Sequence, residues 1–241
     1  MSYPFLKSGL HPSTNVQLPS GYRRTARWIP RIGDIFPNFC AGTTHGQIDF
    51  HSWAAGSWIL LFSHPFVRGP ISYTEFANFA MAADQFSGRN VKLLGMCGAQ
   101  ASDHRDWELE VEAMFNTRID FPVVEDLTNE LSEAFGMIHP NEGKDVAIRK
   151  TFIIDPQLKL RMLFEYPVFI GRSTEEILRV IDALQMKDAY NICTPADWQP
   201  GEEVLIPPAV SDNEAIRAHP EGVEFVTPHM RVVKKPPLSG H

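Results

Sequence analysis

The tripeptide Asp155-Pro156-Gln157 constrains this chain more than any other feature. It lies between two runs that read as strands, Ile148 to Ile154 and Leu158 to Glu165. Proline presets φ for a tight turn and aspartate bonds back to the backbone two residues on, so the runs must pair as an antiparallel hairpin. Upstream, the continuous apolar stretch Trp58-Ile59-Leu60-Leu61-Phe62 and the run Val91 to Met96 have the look of buried central strands. Between them Phe76, Phe79, Ala80 and Ala83 recur at helical spacing until Ser87-Gly88. A strand, a helix and a second strand make a parallel crossover, and a hairpin cannot belong to an all-parallel sheet. A flavodoxin-like sheet is therefore the poorer fit, and a mixed α/β sheet the better one.

The remaining elements suit that order. Gln47-Ile48-Asp49-Phe50-His51 alternates like a half-buried strand. Asp103 opens a helix with Trp107, Leu109, Val111 and Met114 as its apolar positions. Phe121 to Val124 is a brief strand, and Asn129 to Phe135 a short helix ended by Gly136. Thr174 to Leu184 is amphipathic, with Ile177, Leu178, Val180, Ile181 and Leu184 on one face. Residues 1–31 are proline-punctuated without apolar periodicity and read as an extended arm, whose Arg23-Arg24, Arg27 and Arg31 form a solvated basic patch. Prolines crowd the chain again from Asn191, and residues 189–241 read as an irregular appendage to a core of 32–188.

Composition narrows the function classes. With 22 Lys and Arg against 29 Asp and Glu, the net charge is −7, which gives no electrostatic footprint for nucleic acid. No apolar run approaches the roughly 20 residues of a membrane span, and the first residues lack a secretory signal, so the expected address is the cytoplasm. Cys40, Cys97 and Cys193 are too few and too dispersed for a disulfide framework or a tetrahedral zinc site. His45, His51, His104 and His139 show no His-x-x-x-His spacing. Neither a metal nor a cofactor is expected.

Ser72-Tyr73-Thr74-Glu75 stands before the apolar helical pattern and has the Ser-x-x-Glu spacing of a capping box. The same hydroxyl at a helix start could instead be a nucleophile or donor, with His64 as the nearest base. Arg149 interrupts an otherwise apolar strand. Its guanidinium would suit a carboxylate or phosphate.

The segment Phe62-Ser63-His64-Pro65-Phe66-Val67-Arg68-Gly69-Pro70-Ile71-Ser72 resembles the active-site loop of the peroxiredoxins. That family's pattern is Pro, three residues, Thr or Ser, two residues, then the Cys that attacks peroxide; the 1-Cys subfamily carries a Phe-Ser-His-Pro lead-in. The resemblance runs from about Ile32 to Pro236, through Pro37-Asn38-Phe39 and Thr43-Thr44, Asp103-His104 and Trp107, Phe121-Pro122, Gly136-Met137 and Pro140, Gly171-Arg172, Glu176-Ile177-Leu178-Arg179 and Thr194-Pro195-Ala196-Asp197-Trp198. It implies a thioredoxin-fold core of residues 32–188, a C-terminal dimerisation domain of 189–241, a homodimer or higher homo-oligomer, and the alkyl hydroperoxide reductase chemistry of an antioxidant oxidoreductase. It places Arg149 where the family keeps an active-site arginine, over the residue at 72.

The departures fall on the chemistry. The position of the attacking Cys is Ser72, that of the Thr is Gly69, and the flanking Arg68 is foreign to the pattern. Peroxide reduction needs a thiolate, whose sulfur is oxidised to a sulfenic acid. The chain is therefore expected to be a divergent member that is no peroxidase as written. Ser72, His64 and Arg149 would act on a small anion, with Pro65, Arg68, Gly69, Glu75 and Cys97 lining the pocket. The alternatives are a hydroperoxide-reducing thiol peroxidase in Cys-to-Ser form and a non-catalytic dimeric scaffold. Cys97, at the end of a strand, is the one candidate for a substitute thiol.

Overall fold

The computed structural model describes residues 29–143 and 145–233. The arginines of the N-terminal arm up to Arg27, and the last eight residues of the C-terminal region, lie outside them. Among the described residues, ten strands and seven helices follow in the order β1 (Cys40–Thr43), β2 (Gly46–Asp49), α1 (Phe50–Ala54), β3 (Trp58–Ser63), α2 (Pro70–Met81), α3 (Ala83–Gly88), β4 (Val91–Cys97), α4 (Ala101–Phe115), β5 (Val123–Glu125), α5 (Glu130–Ala134), β6 (Arg149–Ile154), β7 (Leu160–Tyr166), α6 (Thr174–Tyr190), β8 (Val204–Leu205), α7 (Asp212–Ala218), β9 (Val223–Thr227) and β10 (Met230–Val233).

The main sheet has the order β2-β1-β5-β4-β3-β6-β7. β3, β4 and β5 are parallel; β6 runs antiparallel to β3 and β7 antiparallel to β6. This is the mixed sheet that the hairpin demands. Asp155 closes the turn, its Oδ1 accepting from the amides of Gln157 (3.0 Å) and Lys159 (2.9 Å). β3 is buried along its whole length, so both faces of the sheet are covered. Leu60, Phe62, Phe76, Trp107 and Ile181 pack on one face; Phe36, Leu61, Met96, Phe152 and Leu160 pack on the other.

Three local readings are corrected. The strand read over 47–51 ends at Asp49, whose carboxylate accepts from the Ser52 amide and starts α1 at Phe50. The helix expected from Ser72 begins earlier, with Gly69 as N-cap and Pro70 at the first helical position, and divides at Ala82. The proline-rich C-terminal region is more ordered than its composition suggests. β8, β10 and β9 form a small antiparallel sheet, α7 starts with a capping box between Ser211 and Glu214, and Trp198, Val204, Ile206, Ala215 and Val233 make a separate core against Met186 of α6 and Ile192 just past its end. Its prolines bound these short elements and leave them uninterrupted.

Candidate active site

Two strands meet at the start of α2. Ser63, the last residue of β3, donates through Oγ to the Ile148 carbonyl (2.6 Å) and accepts from the Lys150 amide (3.0 Å). That fastens β3 to β6 and sets Arg149 against the first turn of α2. The Arg149 Nε donates to the Val168 carbonyl (2.8 Å), and Nη1 donates both to Glu75 Oε2 (2.6 Å) and to Ser72 Oγ (3.3 Å). The Ser72 side chain is fully buried there.

Glu75 is the hub. Besides Arg149 it binds Arg172, which donates through its amide and Nε to Oε1 (2.9 Å each) and through Nη2 to Oε2 (2.6 Å). Arg172 also donates to Thr151 Oγ1 (3.1 Å) and lies over the rings of Phe62 and Phe79. Glu75, Arg149 and Arg172 are all buried. Burial pushes the Glu75 carboxyl up, but the two guanidiniums outweigh it and hold the group below its ordinary value. Two buried cations share one carboxylate, so the cluster carries about +1 beside a neutral hydroxyl.

The capping box expected at Ser72 and Glu75 is therefore not formed. Both side chains face inward, toward residues distant in sequence. Arg68 is not in the site either. It sits half-exposed with φ +59° on the outside of the loop, and its guanidinium clasps Glu110 of α4 (2.7 Å), which also accepts from the Tyr73 hydroxyl (2.6 Å). Gly69 has φ −74°, a conformation open to any residue, and a Cβ there would meet Ser72 Oγ at 3.4 Å, an ordinary contact. Pro65 is buried at the start of the loop.

His64 is buried but is no base for Ser72. Its Nδ1 contacts the Phe66 carbonyl (3.1 Å) and its Nε2 meets His104 Nε2 (2.8 Å). Burial, then the neighbouring His104, keep His64 well below its ordinary value and thus neutral. Cys97 is buried as well, and burial pushes its thiol up to about 11 against the pull of the Ala99, Gly98 and Val67 amides. It is not a poised nucleophile. Sequence reasoning missed Arg172 and His104 as site residues. Both stand within the family resemblance, in Gly171-Arg172 and Asp103-His104, but nothing local shows that Arg172 meets Glu75 or that His104 meets His64, 97 and 40 residues away.

The AhpC/TSA family model matches residues 32–163, and the model for the C-terminal domain of 1-Cys peroxiredoxin matches residues 183–222. The chain belongs to the 1-Cys peroxiredoxins. A peroxiredoxin of Methanosarcina mazei is 40% identical over 78% of this chain and 89% of its own, and mouse peroxiredoxin-6 is 38% identical over 80% and 89%. A mitochondrial peroxiredoxin of Saccharomyces cerevisiae is 37% identical over 85% of this chain and 80% of its own. Among solved structures, a cysteine-to-serine mutant of the peroxiredoxin 6 of Arenicola marina has a TM-score of 0.82 at 36% identity, covering 86% of this chain and 99% of that one. The thioredoxin-fold peroxiredoxin core and the C-terminal extension with its own small sheet agree with these matches. Among the described residues, no helix is long and apolar enough to cross a membrane.

Proposed function

We propose that this peroxiredoxin-family chain does not reduce hydroperoxides through position 72, and that its altered site holds a small anion where a peroxiredoxin keeps a thiolate. One observation carries the reading: the buried Ser72 hydroxyl, 3.3 Å from Arg149, in a cluster of two guanidiniums and one carboxylate. A thiolate at 72 would bring the cluster to neutrality. A serine hydroxyl stays protonated and has no sulfur to oxidise. The surplus charge beside the first turn of a twelve-residue helix favours a carboxylate, sulfate or phosphate group. With both ring nitrogens of His64 engaged elsewhere, the serine lacks a base, and the reading is one of binding rather than conversion.

The test is calorimetric titration with acetate and with sulfate at low ionic strength. Binding is expected in the parent chain. It should weaken in Arg149→Ala, with folding checked by circular dichroism, and in Ser72→Cys above the new thiol's pKa, where the site gains a resident anion. Affinity unchanged in both variants would leave the dimeric scaffold as the better description. The second reading, a thiol peroxidase in Cys-to-Ser form, draws support from the intact Glu75–Arg149–Arg172 cluster. We place dimerisation in residues 189–241, read by light scattering after truncation. We place the chain in the cytoplasm, with the mitochondrial yeast relative marking the competing compartment.

A further inference from the structure

We propose that His64, Cys97 and His104 form a transition-metal site of the zinc class. The three come from the residue after β3, the end of β4 and the first turn of α4, and all are buried. One donor atom from each lies within 4.8 Å of the other two. Zinc takes Nε2 of histidine at about 2.0–2.1 Å and cysteine sulfur at about 2.3 Å. A shift of roughly 1 Å or less in these side chains therefore brings all three to one ion.

The surroundings are those of a prepared ligand set. A ligating imidazole needs its second nitrogen held by an acceptor, usually a backbone carbonyl or a carboxylate. His64 has the Phe66 carbonyl at Nδ1 (3.1 Å), and His104 has the Glu108 carboxylate at Nδ1 (3.2 Å). Both Nε2 atoms then turn toward each other at 2.8 Å. The Phe66 carbonyl can only accept, so His64 Nδ1 carries the hydrogen and its Nε2 offers a lone pair. One proton, on His104 Nε2, separates two otherwise opposed lone pairs. Cys97 has the amides of Ala99, Gly98 and Val67 directed at its sulfur, donors that suit a metal-bound thiolate.

Charge makes the exchange balanced. Binding M²⁺ breaks the Cys97 S–H bond, forms one metal–sulfur and two metal–nitrogen bonds, and releases the thiol proton to solvent, while the His104 hydrogen moves from Nε2 to Nδ1, toward the Glu108 carboxylate. The Cys97 thiolate and the Glu108 carboxylate together offset the ion's two charges, which is what a buried setting requires. The other charges bearing on the cluster are Asp126 near Cys97 and the Arg149 and Arg172 guanidiniums near His64. No redox change is involved, and three protein ligands leave a fourth position for water or a small ligand.

Co²⁺ is the spectroscopic probe and Zn²⁺ the competing ion, both added to the full chain under reducing conditions. The expected result is one Co²⁺ per chain, with tetrahedral d–d bands and a thiolate charge-transfer band, displaced by one equivalent of Zn²⁺. Calorimetry in buffers of different ionisation enthalpy should count about one proton released per Zn²⁺. Cys97→Ser should lose the charge-transfer band and release one proton fewer, while Glu108→Gln, which leaves all three ligands in place, should weaken affinity about 10–100-fold. Absence of stoichiometric binding by the folded parent chain would overturn the proposal. So would binding that Cys97→Ser and His104→Asn, both still folded by circular dichroism, leave unchanged.

Discussion

Replacing Glu75 by Gln tests whether the buried cluster is held by charge. The carboxylate accepts four hydrogen bonds within 2.9 Å from two guanidiniums and one amide. Glutamine keeps the shape but turns one acceptor oxygen into a donor that faces an arginine, and leaves Arg149 and Arg172 buried without a counter-charge. Removing one partner of a buried pair costs about 3–5 kcal/mol. A single contact at about 4 Å and an effective dielectric constant near 20 is worth about 4 kcal/mol, which agrees. In a chain of this size that should lower Tm by roughly 6–20 °C. The sign of the pH dependence follows from the direction of the Glu75 shift. Its carboxyl is held below the ordinary 4.5, so its contribution is whole above that pH and is lost as the pH falls through the folded-state value. Urea denaturation followed by tryptophan fluorescence should show the full gap between parent and variant at pH 7 and a shrinking gap below pH 4.5. A cost under about 1 kcal/mol at pH 7, or a gap indifferent to acid, would refute the reasoning.

Two further outcomes rest on the same geometry. Gly69→Thr should shift stability by no more than a few tenths of a kcal/mol, because φ −74° suits threonine, the Cβ meets no clash, and glycine and threonine are similar helix N-caps; a loss above about 1 kcal/mol in thermal unfolding would contradict this. Under native iodoacetamide treatment, mass spectrometry should find Cys193 and Cys40 alkylated well ahead of Cys97, since the first two are exposed and burial holds the Cys97 thiol at about 11; rapid labelling of Cys97 would make it a reactive thiol after all.

The elements whose signals are local were legible in the sequence. β3 and β4 announced themselves as continuous apolar runs, and the β6–β7 hairpin was written in Asp155-Pro156. α6 showed its apolar face at 3.6-residue spacing. The site was legible only where the family pattern named a position, as at Ser72 and Arg149. Local spacing misled at Glu75: Ser-x-x-Glu satisfies a capping pattern, but the true partners lie 74 and 97 residues away, and buried ion pairs outweigh a cap. Arg68 looked like a pocket cation because it sits in the loop. Its positive φ turns it outward to Glu110, 42 residues on. The C-terminal sheet escaped notice because β8 has two residues and β10 four, too short for periodicity to register.

Hydrogen peroxide consumption tests the central claim most directly. The parent chain, Ser72→Cys, and the Gly69→Thr/Ser72→Cys double variant should be assayed side by side with dithiothreitol and with a thioredoxin system as reductant. The parent should match a no-protein control under both, the single variant should recover little, and the double variant should turn over peroxide with Arg149 beside the new thiolate. Robust turnover by the parent chain would contradict the claim, and its loss on Cys97→Ala would pass the nucleophile's role to that buried thiol.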